Sequence, residues 1–535
     1  MSNETRNEKE LCHWADQVAA KIIKERGDLP LYTCASGITP SGTVHIGNFR
    51  EIITVDLVVR ALRARGKEVR FIYSWDDYDV FRKVPANMPD PEILENYLRF
   101  PITMVPDTTK RNENYARHHE VDIEQELPRV GIHPEFLYQA SRYRANRYTE
   151  GMKKALQNRD LIKWCLNNYR DDAHKMKDSD VYWPIAAFCC KCNKDTTEIT
   201  GYDGEYGVSY KCTSCGHEEN GDLRTSKEFK LGWRVDWPMR WNEEKVVFEP
   251  GGKDHISPGG SYDTAKLVSK KIYGWDAPIT MKYDFVGLKG IPGKMSSSKG
   301  KVIALPDALQ VYQPEVLRYI FAQNKPDHEF AISFDIDVIT MYEAYDRTER
   351  IAWGVDKAKS DDLLLKEKRV YELAQIGDMP KAMPYQVPFR LLTTLLQTYS
   401  GDVDAVFKSL GDVKPEQEET LRKRCACAWY WVNECAPEDF KFSLRTDGSK
   451  AELNETEAAA VRKIRDEVLP VMNDCATDKD LQQKVYDVAT ESGMDAKALF
   501  TTMYHVLVNK DQGPRLASFM RIIGREKLEK ILSVY

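Results

Sequence analysis

One stretch near the start limits how this 535-residue chain can fold. Leu31 to Ile38 is a mostly apolar run, Thr39-Pro40-Ser41-Gly42 interrupts it, and from Val44 to Arg65 apolar residues recur at helical spacing until Gly66 stops them. A second apolar run, Val69 to Tyr73, follows at once. Strand, turn, helix and strand in that order predict a β-α-β unit, hence parallel strands in an α/β sheet that binds ligands at the carboxyl ends of its strands. His45 and Asn48 then fall in the first turn of the helix, whose N-terminal amides and dipole favour phosphate. Far downstream, Lys294-Met295-Ser296-Ser297-Ser298-Lys299-Gly300 reads as a loop whose Lys294 can supply the cation such a site lacks. Alone, His45 is a helix-terminal histidine and Lys294 a solvated lysine. Together, in this order, they point to chemistry at a phosphoryl group.

Length and a 42% hydrophobic content allow several domains with real cores. The net charge of −6 gives no global basic signature, so any contact with nucleic acid must rest on local faces. The first ten residues are charged and lack the apolar core of an export signal, and no apolar run is long enough to span a bilayer. The expectation is a cytoplasmic protein with no membrane partner. Most of the twelve cysteines are scattered and read as reduced thiols. The exception is Cys189-x-x-Cys192 with Cys212-x-x-Cys215, nineteen residues apart, the spacing of a structural zinc site made by four thiolates on two knuckles. Such a closed site shapes a module and has no open position for catalysis. Cys190 and His217 are alternative ligands that fit less well.

Regular alternation breaks between about Pro89 and Arg224, and apolar and aromatic runs resume from Phe229 to Trp241, Val246 to Phe248 and Ile279 to Leu288. Beyond about Glu349 strand-like runs are few and amphipathic helical segments many. The predicted organisation is a Rossmann-type α/β domain from residues 1–95 and 228–290, an insertion with the zinc site at 96–227, a region bearing the lysine loop at 291–352, and an all-α domain at 353–535. At the end of the second strand, Ser74-Trp75-Asp76-Asp77-Tyr78-Asp79 places carboxylates where ligands bind; each singly could be a solvated turn or a helix cap. Gly251-Gly252-Lys253-Asp254-His255 follows another strand, with glycines for close backbone approach and with Asp254 and His255 as acceptor and donor for a ribose or a substrate.

The two motifs resemble the "HIGH" and "KMSKS" signatures of class I aminoacyl-tRNA synthetases, with Asn48 for the second histidine and Ser297 for a lysine. The resemblance becomes specific over Ser36 to Glu51, Asp76-Asp77-Tyr78-Asp79, Trp233-Arg234-Val235-Asp236-Trp237, Gly252-Lys253-Asp254-His255, the Lys294 loop and Gly513-Pro514-Arg515-Leu516-Ala517-Ser518-Phe519. These are similar to class I lysyl-tRNA synthetases, in which the Asn and Ser departures are usual. The resemblance implies lysine activation by ATP with Mg2+, transfer to tRNA(Lys), and release of AMP and pyrophosphate, with tRNA bound before activation. It implies an insertion at the acceptor end of the tRNA and a helical domain that reads the anticodon; a monomeric chain is compatible with the sequence. It assigns His45, Asn48 and Lys294 to catalysis, and Thr39, Pro40, Gly42, His45, Gly47, Asn48, Asp254, Lys294, Ser296 and Ser297 to ATP. Lysine-pocket residues map onto Gly37, Thr39, Trp233, His255 and Tyr283. Some relatives carry a second zinc site in the stretch equivalent to Asp107–His119; here Lys110-Arg111 stand where its cysteine would be, which implies one zinc per chain.

The charges agree with lysine. A desolvated ammonium needs a carboxylate, and Asp76, Asp77 and Asp236 are the expected counter-charges, whereas a glutamate enzyme would need arginines. Alternatives are a glutamyl or arginyl synthetase, a small-molecule nucleotidylyltransferase, or a tRNA-binding protein without catalysis. The long helical domain argues against the transferase, and intact His45 and Lys294 argue against the inert binder.

Overall fold

The computed structural model describes residues 12–85, 88–290, 302–411 and 413–535. The predicted β-α-β unit is present: β1 (Tyr32–Ile38), α1 (Ile46–Arg63) and β2 (Val69–Trp75), with β1 and β2 parallel and Tyr32 opposite Val69. Two further parallel strands complete a sheet, β3 (Glu135–Tyr138) beside β2 and β4 (Val246–Phe248) beside β1, in the order β3-β2-β1-β4. A central parallel strand is covered on both faces, so β1 is buried continuously from Tyr32 to Ser36 rather than on alternate residues. Ala35, Ile72, Leu137 and Val246, one from each strand, pack with Trp241 and Ala265 in one buried cluster.

The chain forms two compact units. The first comprises Met1–Leu309, Pro314–Ile332 and Thr348–Met379, and the second Gln310–Gln313, Ser333–Arg347 and Pro380–Tyr535. Every regular element described between residues 380 and 535 is helical. Within the second unit, Phe389 stacks on Tyr342 at 3.9 Å, and buried Arg424 meets Asp346 at 2.6 Å.

Two expectations shift. The segment 96–227, expected as an insertion, contributes β3 to the four-stranded sheet, because a four-residue strand carries too short a pattern to be read from sequence. The expected helical domain at 353–535 loses its first part. The helix Asp361–Ala374 joins the first unit, where Arg369 meets buried Asp16 at 2.8 Å and the Leu373 carbonyl accepts from Arg318.

Arg318 is fully buried, donating also to the Val130 carbonyl and to Asp56 at 2.7 Å. Arg318→Met should leave that carboxylate half-paired and two carbonyls unsatisfied. The expected cost is about 3 kcal/mol, seen as a lower urea midpoint. An unchanged midpoint would mean that these carbonyls find other donors.

Candidate active site

The helix start that faces phosphate in the sequence reading is held by its own motif. His45 is the N-cap of α1; its Nδ1 accepts from the Gly47 N–H at 3.1 Å, while Asn48 Oδ1 accepts from the His45 N–H at 3.1 Å. This capping box fixes the ring's tautomer, with the proton on Nε2, and leaves the Asn48 amide nitrogen as a donor. Asn48 thus supplies both an acceptor for the cap and an amide that can still donate. Lys294, Ser296 and Ser297 lie outside the described residues. The chain that follows their loop is placed: the Ile46 N–H donates to the Ile303 carbonyl at 2.8 Å, and His45 bridges to Ala304.

A cavity of about 720 Å³ opens at the carboxyl ends of the strands, and a smaller one of about 120 Å³ lies beside it around His45, Gly47, Asp254 and Asp284. Asn48, Gly252, His255 and Tyr283 line both. The expected residues Gly37, Thr39, Asp76, Trp233, His255 and Tyr283 thus converge on the larger cavity. At Gly37 a Cβ would stand 2.7 Å from the Ser74 carbonyl oxygen, so only glycine allows β1 and β2 this approach. Thr39 Oγ1 donates to Asp79 at 3.0 Å; Lys230, 2.8 Å from that carboxylate, helps hold it below the usual range despite its burial. His255 sits on the short turn Lys253–Ile256, edge-on to Trp233 at 5.8 Å.

The three aspartates expected as counter-charges have other partners. Asp77 is buried and accepts from the Ala140 N–H at 2.7 Å, with burial pushing its carboxyl up to about 6; it caps the helix Gln139–Arg144 and does not line the cavity. Asp76 and Asp236 share Arg240, at 2.6 and 3.0 Å, and Asp236 also accepts from the Tyr143 hydroxyl. The guanidinium arrives from one helical turn beyond Asp236, a position that sequence gives no reason to aim at β2.

Two other carboxylates face the cavity. Glu51, one turn beyond Asn48 on α1, accepts from Ser36 Oγ at 2.8 Å, the Gly37 N–H at 3.2 Å and the Tyr283 hydroxyl at 2.5 Å. Burial raises its pKa above the ordinary value. Glu249, just after β4, accepts from the indole N–H groups of Trp237 and Trp241 at 3.0 and 2.5 Å, and burial pushes it up to about 7. The donors to these two carboxylates, Ser36, the Gly37 N–H, Tyr283, Trp237 and Trp241, are neutral. Trp233, Trp237 and Trp241 follow one another at helical spacing along Trp233–Glu244, with centroids 6.0 and 4.6 Å apart, and form an aromatic wall. The sequence reading passed over Glu51, Glu249 and the two inner tryptophans. One available signal was an acidic residue on the otherwise apolar face of α1.

The cysteine module lies beside this site. Strands Thr197–Tyr202, Gly207–Cys212 and Glu218–Asp222 form an antiparallel sheet, and two knuckles bring together the sulfurs of Cys189, Cys192, Cys212 and Cys215, all within 4.8 Å of one another. Each knuckle closes by a bond to the first cysteine's carbonyl from a left-handed residue four positions on, Asn193 and Gly216. Cys189–Cys215 and Cys192–Cys212 are both 3.6 Å apart. Tetrahedral thiolates about 2.3 Å from a metal would be about 3.8 Å apart, so the donor set fits a metal ion. In the stretch Asp107–His119, the Arg111 guanidinium stands 3.3 Å from both ring nitrogens of His118, where a cation would otherwise sit.

Comparison with known proteins places these features in one family. The sequence profile described as "tRNA synthetases class I (K)" matches residues 12–377. The chain is 54% identical to a lysine–tRNA ligase of Treponema pallidum over 98% of each chain. It is 48% identical to that of Borreliella burgdorferi, covering 98% of this chain and 99% of the other, and 42% identical to that of Thermococcus kodakarensis with the same coverage. No described helix is long and apolar enough to cross a membrane.

Proposed function

The chain belongs to the class I tRNA synthetases of the lysine type, and from that premise we propose that it joins L-lysine to tRNA(Lys), with the ammonium held by Glu51 and Glu249. The observation that carries this reading is two half-buried carboxylates, hydrogen-bonded by neutral donors, beside an aromatic wall and next to the start of α1. A buried carboxylate without a cation is costly, and an ammonium entering the cavity relieves that cost. The indoles cover its methylenes.

In the first step a lysine carboxylate oxygen attacks the α-phosphorus of Mg2+-bound ATP and pyrophosphate leaves. His45 Nε2–H, the Asn48 side-chain amide and Lys294 donate to phosphoryl oxygens as charge grows there, and the dipole of α1 adds to them. Asp254 and His255, at the mouth of the smaller cavity, are assigned to the nucleotide's ribose and to substrate. In the second step a hydroxyl of the terminal tRNA ribose attacks the acyl carbon and AMP leaves. Residues 380–535 are assigned to the anticodon, where local contacts give choice among tRNAs and phosphate contacts give affinity. Charging of total tRNA with a panel of amino acids tests the assignment. Lysine alone should be incorporated, and glutamate or arginine in its place would refute it.

The pH profile tests the pocket. An ammonium selects the ionised carboxylate, and Glu249 is half-protonated at about pH 7. Lysine affinity should therefore fall below that pH, by up to about tenfold per unit, and level off above it. Glu249→Gln should flatten the profile. For folding the sign is opposite: the folded chain keeps a proton that the unfolded chain has lost above its ordinary value of 4.5, so this group's contribution to stability falls as pH rises from 4.5 to about 7.

The residues fit zinc, held by Cys189, Cys192, Cys212 and Cys215, at one tightly bound ion per chain. Bound there it would fix the knuckles and supply no catalytic step. Cys192→Ser should lose the metal and weaken binding of the tRNA acceptor end while ATP binding holds. Elemental analysis of chelator-washed protein showing no zinc would contradict this.

A further inference from the structure

On the outer side of the same module, Cys190, His217 and Glu219 bring a thiol, an imidazole and a carboxylate within hydrogen-bonding reach of one another. Cys190 Sγ lies 3.2 Å from His217 Nε2 and 3.3 Å from Glu219 Oε2, and the nitrogen and oxygen are 3.1 Å apart. We propose that these three side chains form a second, exchangeable metal site that takes a divalent transition ion of the zinc type, with a fourth position open to solvent.

The positions of the donors follow from the fold of the inner module. Within the first knuckle Cys189 is buried and Cys190, next in the chain, is exposed. The Cys190 N–H donates to the hydroxyl of buried Tyr210 at 2.9 Å, which fixes the direction of the thiol. His217 is held through its carbonyl by the Cys212 N–H at 2.7 Å. Glu219 lies two residues on, in the strand Glu218–Asp222, and so shares a face with His217. Tetrahedral ligands at zinc would place sulfur and nitrogen about 3.5 Å apart and nitrogen and oxygen about 3.3 Å apart, so the triangle need open by only a few tenths of an ångström.

The donor set also selects the ion. A thiolate and an imidazole favour zinc or cobalt over magnesium or calcium, and thiolate plus carboxylate neutralise a dication. Binding releases the Cys190 thiol proton to solvent. Three protein ligands and partial exposure make this the weaker of the two sites. It is separate from the four cysteines, whose sulfurs already form a closed set.

The full-length chain is passed through chelator, which should leave the inner zinc in place, and then titrated with Co2+. One further equivalent should bind with a thiolate-to-cobalt absorption band. Cys190→Ser should abolish the band and weaken this binding at least about tenfold, and Glu219→Gln should weaken it while keeping the band. Retention of the inner zinc in each variant reports that the module is folded. The proposal is overturned if no further equivalent binds, if Cys190→Ser binds cobalt as the unaltered chain does, or if Cys190→Ser loses the inner zinc, which would place Cys190 in that site instead. In the first two cases the triad is a hydrogen-bonded cluster only.

Discussion

Lys294→Ala should slow lysyl-adenylate formation by roughly two to three orders of magnitude while leaving lysine affinity nearly unchanged. The contact proposed for Lys294 strengthens as charge builds on the phosphoryl oxygens. Removing a donor of this kind costs about 3–4 kcal/mol of transition-state stabilisation. Ile303 and Ala304, a few residues further along the chain, meet the backbone of Ile46 and His45. Ser297, in place of a second lysine, puts more of that work on Lys294 and on the donors of α1. Single-turnover measurement of adenylate with saturating tRNA separates chemistry from binding. A near-normal rate in the alanine variant would remove the assignment of this loop.

Glu51→Gln should weaken lysine binding by roughly two to three orders of magnitude, with ATP binding unaffected. The substitution keeps shape and removes charge, and breaking a buried ion pair by loss of one partner costs about 3–5 kcal/mol. The glutamine oxygen would still accept from Ser36 and the Gly37 N–H, and its amide nitrogen, in the place of Oε2, would donate to the Tyr283 oxygen, so the pocket wall should persist. Asp77→Asn serves as the contrast. Its carboxyl caps the start of the helix Gln139–Arg144 away from the cavity, so lysine affinity should hold while stability changes slightly. Lysine titration of both variants at saturating ATP and tRNA decides between the carboxylates. Normal binding in Glu51→Gln with loss in Asp77→Asn would reverse the account of specificity and leave the family membership standing.

Sequence by itself determined what depends on local order along the chain. The strand–turn–helix–strand of β1, α1 and β2 follows from apolar periodicity and from glycine and proline punctuation, and the four-cysteine site from spacing alone. The convergence of Gly37, Thr39, Trp233, His255 and Tyr283 on one cavity was also legible, because parallel α/β topology gathers strand ends on one side. Tertiary structure alone decided which carboxylates are neutralised. Asp76 and Asp236 were reasonable counter-charges until Arg240 packed between them, and Glu51 and Glu249 stood out only once burial had left them among neutral donors. The same holds for β3, inside a segment that reads as insertion, and for the helix Asp361–Ala374, whose Arg369 reaches Asp16 across 353 residues of chain. Periodicity tells which face of an element is buried. Which partner it is buried against, and which charge it meets there, is fixed by long-range packing, to which local sequence carries no pointer.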